Sequence, residues 1–108
     1  MTQNERALQL WQVLISAAHN RQVLTYEMVG NLTGLQPLGL ANFLNPILHY
    51  CERNQLPFLP ILVVSKETGR PGQGFPEKIG LDAERERVFA HNWFGMKPPS
   101  ADDFKPIG

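Results

Sequence analysis

Apolar residues recur at three- and four-residue steps near the start of the chain. Ala7, Leu8, Trp11, Leu14, Ile15 and Ala18 mark one stripe, with polar residues between them. This period predicts an amphipathic helix over about residues 2–20. Glu5 lies near its start, where the helix dipole favours a negative charge. Val23-Leu24 then reads as a very short strand. Thr25 is a natural N-cap and predicts a short helix through Tyr26, Glu27, Met28 and Val29. Gly34 suits the left-handed position just past its end. Leu35-Gln36-Pro37 reads as a turn, with Pro37 opening a third helix. In that helix Leu40, Phe43, Leu44, Ile47 and Cys51 share a face. Pro46 has no amide hydrogen to donate, which predicts a kink or break near Phe43.

The pattern then changes period. Pro57-Phe58-Leu59-Pro60 leaves the helix in extended form, and Ile61-Leu62-Val63-Val64 reads as a buried strand. Residues 66–74 hold three glycines and a proline, the composition of a loop or hairpin wing. Leu81, Arg85, Val88, Phe89 and Trp93 predict a further helix over 81–94, with Glu84, Glu86 and Arg87 on a solvated face. Phe89, Trp93 and Phe94 read as core anchors. Beyond Gly95 the tail has a capping residue at Ser100 and an apolar Phe104, and is expected to pack loosely or fray. These elements add up to a mainly helical α+β fold. The expected form is a single winged helix-turn-helix domain with a short strand pair and wing, over residues 1–95, followed by a C-terminal tail over 96–108.

Composition narrows the reading. A chain of 108 residues, 43% hydrophobic and 19% charged, suits one globular domain with a modest core. Ten basic residues balance ten acidic ones, so no overall field draws the chain to nucleic acid. This weighs against strong non-specific DNA binding, which phosphate neutralisation drives, but leaves room for a local basic patch. Cys51 stands alone, which excludes an internal disulfide and suits a reducing cytoplasm. No signal peptide or membrane span is expected, so the expected location is cytoplasmic, with no membrane partner.

The candidate chemistry is sparse. Cys51 and His49 are two residues apart, which on a helix points them to nearly opposite sides, and Cys51 falls on the apolar stripe. The three histidines lack metal-ligand spacing, and no metal or small-molecule cofactor is expected. Lys66, Arg70 and Gln73 on the glycine-rich loop could meet a phosphate backbone, or form only a solvated hairpin. Asn42 and Asn45 offer polar contact from the third helix, which has no arginine or lysine before Arg53. Thr25 and Tyr26 at a helix start could bind a phosphate, or serve as a cap and a half-buried ring.

Across residues 24–75 the order of motifs resembles the C-terminal DNA-binding domain of alkylguanine-DNA alkyltransferases and alkyltransferase-like proteins. The likeness rests on Thr25-Tyr26, then Gly39, Ala41, Asn45 and Pro46, then Val63-Val64 and the glycine-rich 69–74. The predicted helix over 81–94 would be the counterpart of that family's closing helix. The family's proline-cysteine-histidine-arginine string falls where this chain has Pro57-Phe58-Leu59-Pro60, so alkyl transfer to cysteine is not implied. Gln36 stands where the family's DNA-intruding arginine would be, and residues 47–55 lengthen the third helix. The resemblance implies a fold rather than a reaction.

The expected function is non-enzymatic, modest binding of double-stranded DNA through Thr25, Tyr26, Gln36, Asn42, Asn45, Lys66, Arg70 and Gln73. The alternative is a protein–protein interaction module on the same scaffold that has lost DNA binding.

Overall fold

The computed structural model describes residues 1–72 and 80–105. Helix α1 (Gln3–His19) starts at a reciprocal cap. The Thr2 hydroxyl accepts the Glu5 amide at 3.2 Å, and the Glu5 carboxylate accepts the Thr2 amide at 2.8 Å. These bonds hold the Glu5 carboxyl below its ordinary range. The buried stripe of α1 also takes in Leu10 and Ala17, because neighbours cover the helix on several sides.

Strand β1 (Leu24–Thr25) runs straight into α2 (Tyr26–Thr33), which ends at Gly34 in the left-handed region, φ 76°. The expected third helix from Pro37 divides in two. Pro37–Gly39 forms a 3-10 turn, and α3 (Ala41–Arg53) follows as one helix with Pro46 inside it. The discontinuity therefore lies at Leu40, ahead of the expected break near Phe43. Pro46 cannot bond the Asn42 carbonyl four residues back. The Gln3 side chain of α1 donates to that oxygen instead, at 3.0 Å.

The expected strand at 61–64 is mostly a 3-10 turn, Leu59–Leu62, entirely buried; only Val63–Val64 is extended, as β2. Pro60 in the first turn fixes φ and lacks a donor, which suits a tight turn better than a ladder. Strand β2 pairs with β1 in parallel, Leu24 against Val63 and Thr25 against Val64. A single antiparallel bridge joins Val64 to Pro71.

Helix α4 (Leu81–Ala90) is shorter than expected, and a 3-10 turn at Trp93–Gly95 follows it, where the Asn92 side chain accepts the Gly95 amide at 3.1 Å. Glu84 is not on a solvated face. It is 5% exposed, accepts the Phe58 amide at 2.8 Å and pairs with Arg87. Glu86 is exposed and pairs with Arg21. Trp93 is a core residue whose indole donates to the Val88 carbonyl at 2.8 Å. Phe94 departs from the expected anchor role and is 63% exposed, edge-on to His19.

Of the tail expected over 96–108, the described residues 96–105 do not pack loosely, and 106–108 lie outside the described residues. Asp103 accepts the Ser100 amide at 2.8 Å, and Arg53 at the end of α3 donates to the Asp103 carbonyl at 2.9 Å. Phe104 is buried against Trp11 and Tyr50, with ring centres 5.8 and 5.3 Å away. Trp11 also meets Tyr50 and Trp93 edge-on, so α1 carries the aromatic centre of the core. Among the described residues the architecture is four α-helices with one two-stranded parallel sheet, a mainly helical α+β arrangement. No helix among them is long and apolar enough to cross a membrane.

Candidate functional site

Thr25 ends β1 and caps α2, accepting the Met28 amide at 3.2 Å. Its hydroxyl oxygen is therefore committed to the helix start. Tyr26 follows, half-buried, with its hydroxyl against Gly72 at the end of the loop after β2. Burial raises the Tyr26 hydroxyl above its ordinary range, opposed by a bond to the Gly72 backbone.

A small cavity of about 30 Å³ marks where three segments meet. Tyr26 of α2, Asn45 and Leu48 of α3, and Pro71-Gly72 of the loop line it. Tyr26 and Asn45, two of the expected site residues, are thus neighbours. Asn45 is exposed on the solvent side of α3 while Leu44, Pro46 and Ile47 turn inward.

The loop is held by its own backbone. Ser65 N–H donates to Arg70 O and Gly69 N–H to Ser65 O, both at 2.8 Å, and Gly69 takes φ 68°. Lys66 and Arg70 are exposed on it, in none of the ion pairs among the described residues. Between them lies Glu67, whose carboxyl is held below its usual range by the Ser65 hydroxyl. The loop is therefore less basic than Lys66 and Arg70 alone would make it. Gln73 lies outside the described residues.

Gln36 is exposed just before the 3-10 turn, beside a depression shared with Glu27, Asn31 and Pro37. Asn42 is exposed in the first turn of α3, in a cleft with Gln3, Arg6 and Phe43. Gln36 and Asn42 thus flank the start of α3, whereas Tyr26 and Asn45 adjoin the loop. Residues 28–51 contain neither Asp nor Glu, and the acidic residues of the two helices are Glu27, at the Gln36 depression, and Glu52, beside His49.

Two residues escape a reading of sequence alone. Arg6 of α1 donates to the Thr33 carbonyl at 2.7 Å, placing a cation at the C-terminal end of α2. Leu38 is fully exposed on the 3-10 turn. Its position off the stripe of Leu40, Phe43, Leu44 and Ile47 is the signal that would have found it.

Cys51 is buried, and burial pushes its thiol up to about 12. A thiol kept protonated is a poor nucleophile. His49 lies on the exposed side, 3.2 Å from Glu52. Among the described residues no three His, Cys, Asp or Glu side chains gather as metal ligands. A broad groove of about 660 Å³ between α1 and α2 is lined by Gln9, Gln12, Gln22, Val13 and Leu32, among others. Among the described residues Arg6 is its one charged lining residue, and it is already bonded to Thr33. No protein-family model, curated protein or solved structure matches the chain.

Proposed function

We propose that this chain is a non-enzymatic, cytoplasmic DNA-binding protein of the winged-helix type, with modest affinity for double-stranded DNA. One observation carries the reading. The start of α2, the outer side of α3 and the loop after β2 converge on one cavity through Tyr26, Asn45 and Gly72. In this arrangement α3 acts as the reading helix, and the 65–72 loop acts as the wing. Lys66 and Arg70 meet phosphates, while Gln36, Asn42 and Asn45 supply amide groups that both donate and accept. The carboxylate-free stretch over 28–51 removes a source of repulsion from that face. Neutral net charge limits the affinity.

The test is binding of a labelled random-sequence duplex at low and at moderate salt. Micromolar binding that falls steeply with salt supports the proposal. Absence of binding at low salt, where phosphate attraction is strongest, overturns it.

The exposed Met28, Leu32 and Leu38, together with the net charge, favour a second reading as a protein-interaction module on the same scaffold. That reading gains ground if the duplex is not bound and the isolated protein self-associates or captures a partner.

A further inference from the structure

The groove of about 660 Å³ between α1 and α2 has a chemical order along its length. Arg6, Gln9, Gln12 and Ser16 recur along it at helical steps, so one face of α1 forms its wall. From Arg6 to Ser16 that wall is about 15 Å long. Leu32 and Thr33 of α2 line the other side, and the buried Ala17 and Leu24 lie at its base. Gln22 adds a third glutamine amide from the segment before β1.

Arg6 is half-buried and donates to the Thr33 carbonyl at 2.7 Å. A guanidinium has five N–H donors, so this bond fixes the side chain and leaves donors for a carboxylate. Arg6 is in none of the ion pairs among the described residues. No Asp or Glu among the described residues lines the groove. Glu5 accepts the Thr2 amide, and Glu27 belongs to the depression beside Gln36. Arg6 also lines the cleft of about 440 Å³ that reaches Phe43 of α3. The hollow surface therefore continues on both sides of the guanidinium, and a chain that pairs with it can run past rather than end there.

Glutamine amides both donate and accept, as peptide groups do, whereas phosphate oxygens only accept. One cation among three such amides therefore suits a polypeptide strand better than a nucleic-acid backbone. The wall has room for about five residues of extended chain, with alternate side chains turned to the base of the groove. We infer that the α1–α2 groove binds an extended segment of a partner protein. The segment carries an Asp or Glu that pairs with Arg6 and apolar residues that face Ala17, Leu24 and Leu32. This goes beyond the DNA-binding reading, which uses α3 and the loop after β2, and it stands whether or not a duplex is bound.

The test is selection of random six-residue peptides, each fused at both ends to a display protein, on the immobilised full chain. Enriched peptides are expected to share an Asp or Glu at one position, with an apolar residue two places away. The best of them, synthesised with both termini blocked, is then titrated by fluorescence anisotropy. Replacing its acid by the amide should weaken binding to the wild type about tenfold, as loss of a charged hydrogen bond does. Arg6→Gln should bind the acid and amide peptides equally, a change that a weakened fold alone would not produce. Leu32 is 67% exposed, so Leu32→Glu should melt as the wild type does and lose the acidic peptide. If Arg6→Gln fails to fold, Leu32→Glu carries the test. The inference is overturned if no peptide is enriched, or if the enriched ones share no acid. It is also overturned if Arg6→Gln still prefers the acid, if Leu32→Glu binds as the wild type does, or if binding needs a free C-terminal carboxylate. Self-association that Leu32→Glu abolishes would overturn it too, by making a second copy the occupant.

Discussion

The Tyr26 hydroxyl lies so close to the Cα of Gly72 that a Cβ on Gly72 would overlap it. Tyr26 is the first residue of α2, and Gly72 directly follows the Val64–Pro71 bridge. The contact ties the loop after β2 to the helix start without a covalent link. Only glycine leaves room for it.

Gly72→Ala should therefore move either the ring or the loop, and cost about 1–3 kcal/mol of stability as an overpacked contact does. Adding Tyr26→Phe removes the clashing oxygen, leaving the ring carbon at 3.1 Å as the nearest atom. The double variant should lose less stability than the sum of the two singles. Urea unfolding of the four proteins measures this. A strictly additive result would mean the two groups do not press on each other.

Arg70→Ala should weaken duplex binding alike for all sequences and lower the salt slope by about 1, the signature of one lost phosphate contact. Melting should be unaffected, because the exposed side chain enters no ion pair among the described residues. Fluorescence anisotropy across a salt series reads both quantities. An unchanged slope removes Arg70 from the contact surface.

Pro46 and Gln3 should be energetically coupled although they are distant in sequence. In the wild type the Gln3 side chain bonds the Asn42 carbonyl that Pro46 leaves without a helical partner. Gln3→Ala should cost about 0.5–1.5 kcal/mol, the net value of one hydrogen bond. In a Pro46→Ala background the restored amide can reach Asn42, so the same change should cost close to nothing. A double-mutant cycle by thermal unfolding gives the coupling directly. Equal costs in both backgrounds would refute it.

Cys51 gives the protein a stability loss at alkaline pH. Burial pushes its thiol from the ordinary 9.0 up to about 12. Below about pH 9 the thiol is protonated whether the chain is folded or not, and it adds no pH dependence. Above that, the unfolded chain releases the proton while the folded chain retains it, so stability falls as pH rises. The slope attributable to this group is about 1.4 kcal/mol per pH unit. The difference between wild type and Cys51→Ala should shrink accordingly between about pH 9 and 11. A thiol reagent should label the native protein only at the rate of unfolding, and label it at once in urea. Rapid native labelling would contradict the burial of Cys51.

What the sequence determined by itself is what neighbouring residues decide. The caps at Thr25 and Gly34 were legible because each involves groups within one helical turn. The amphipathic period of α1 was legible because its apolar residues repeat at the helical step whichever segments cover them. A short strand leading into α2 was legible too, but at Val23-Leu24, one residue ahead of the observed Leu24–Thr25, and its partner and parallel sense were not legible. The candidate contact residues could be named only by residue type, since spacing alone does not tell which of them share a face.

Tertiary structure decided the rest, because burial of any one side chain depends on what distant segments bring. Glu84 looks solvated by composition, yet the Phe58 amide, 26 residues earlier, gives it a buried partner. Phe94 reads as an anchor and Phe104 as part of a loose tail, but the space beside Trp11 and Tyr50 takes Phe104 and leaves Phe94 outside. Four β-branched and apolar residues at 61–64 favour a strand locally, while the ring of Pro60 and full burial on all sides favour a 3-10 turn. The meeting of Tyr26, Asn45 and Gly72 belongs to this second class. It exists only once α2, α3 and the loop after β2 have folded against one another, through contacts that no local pattern specifies.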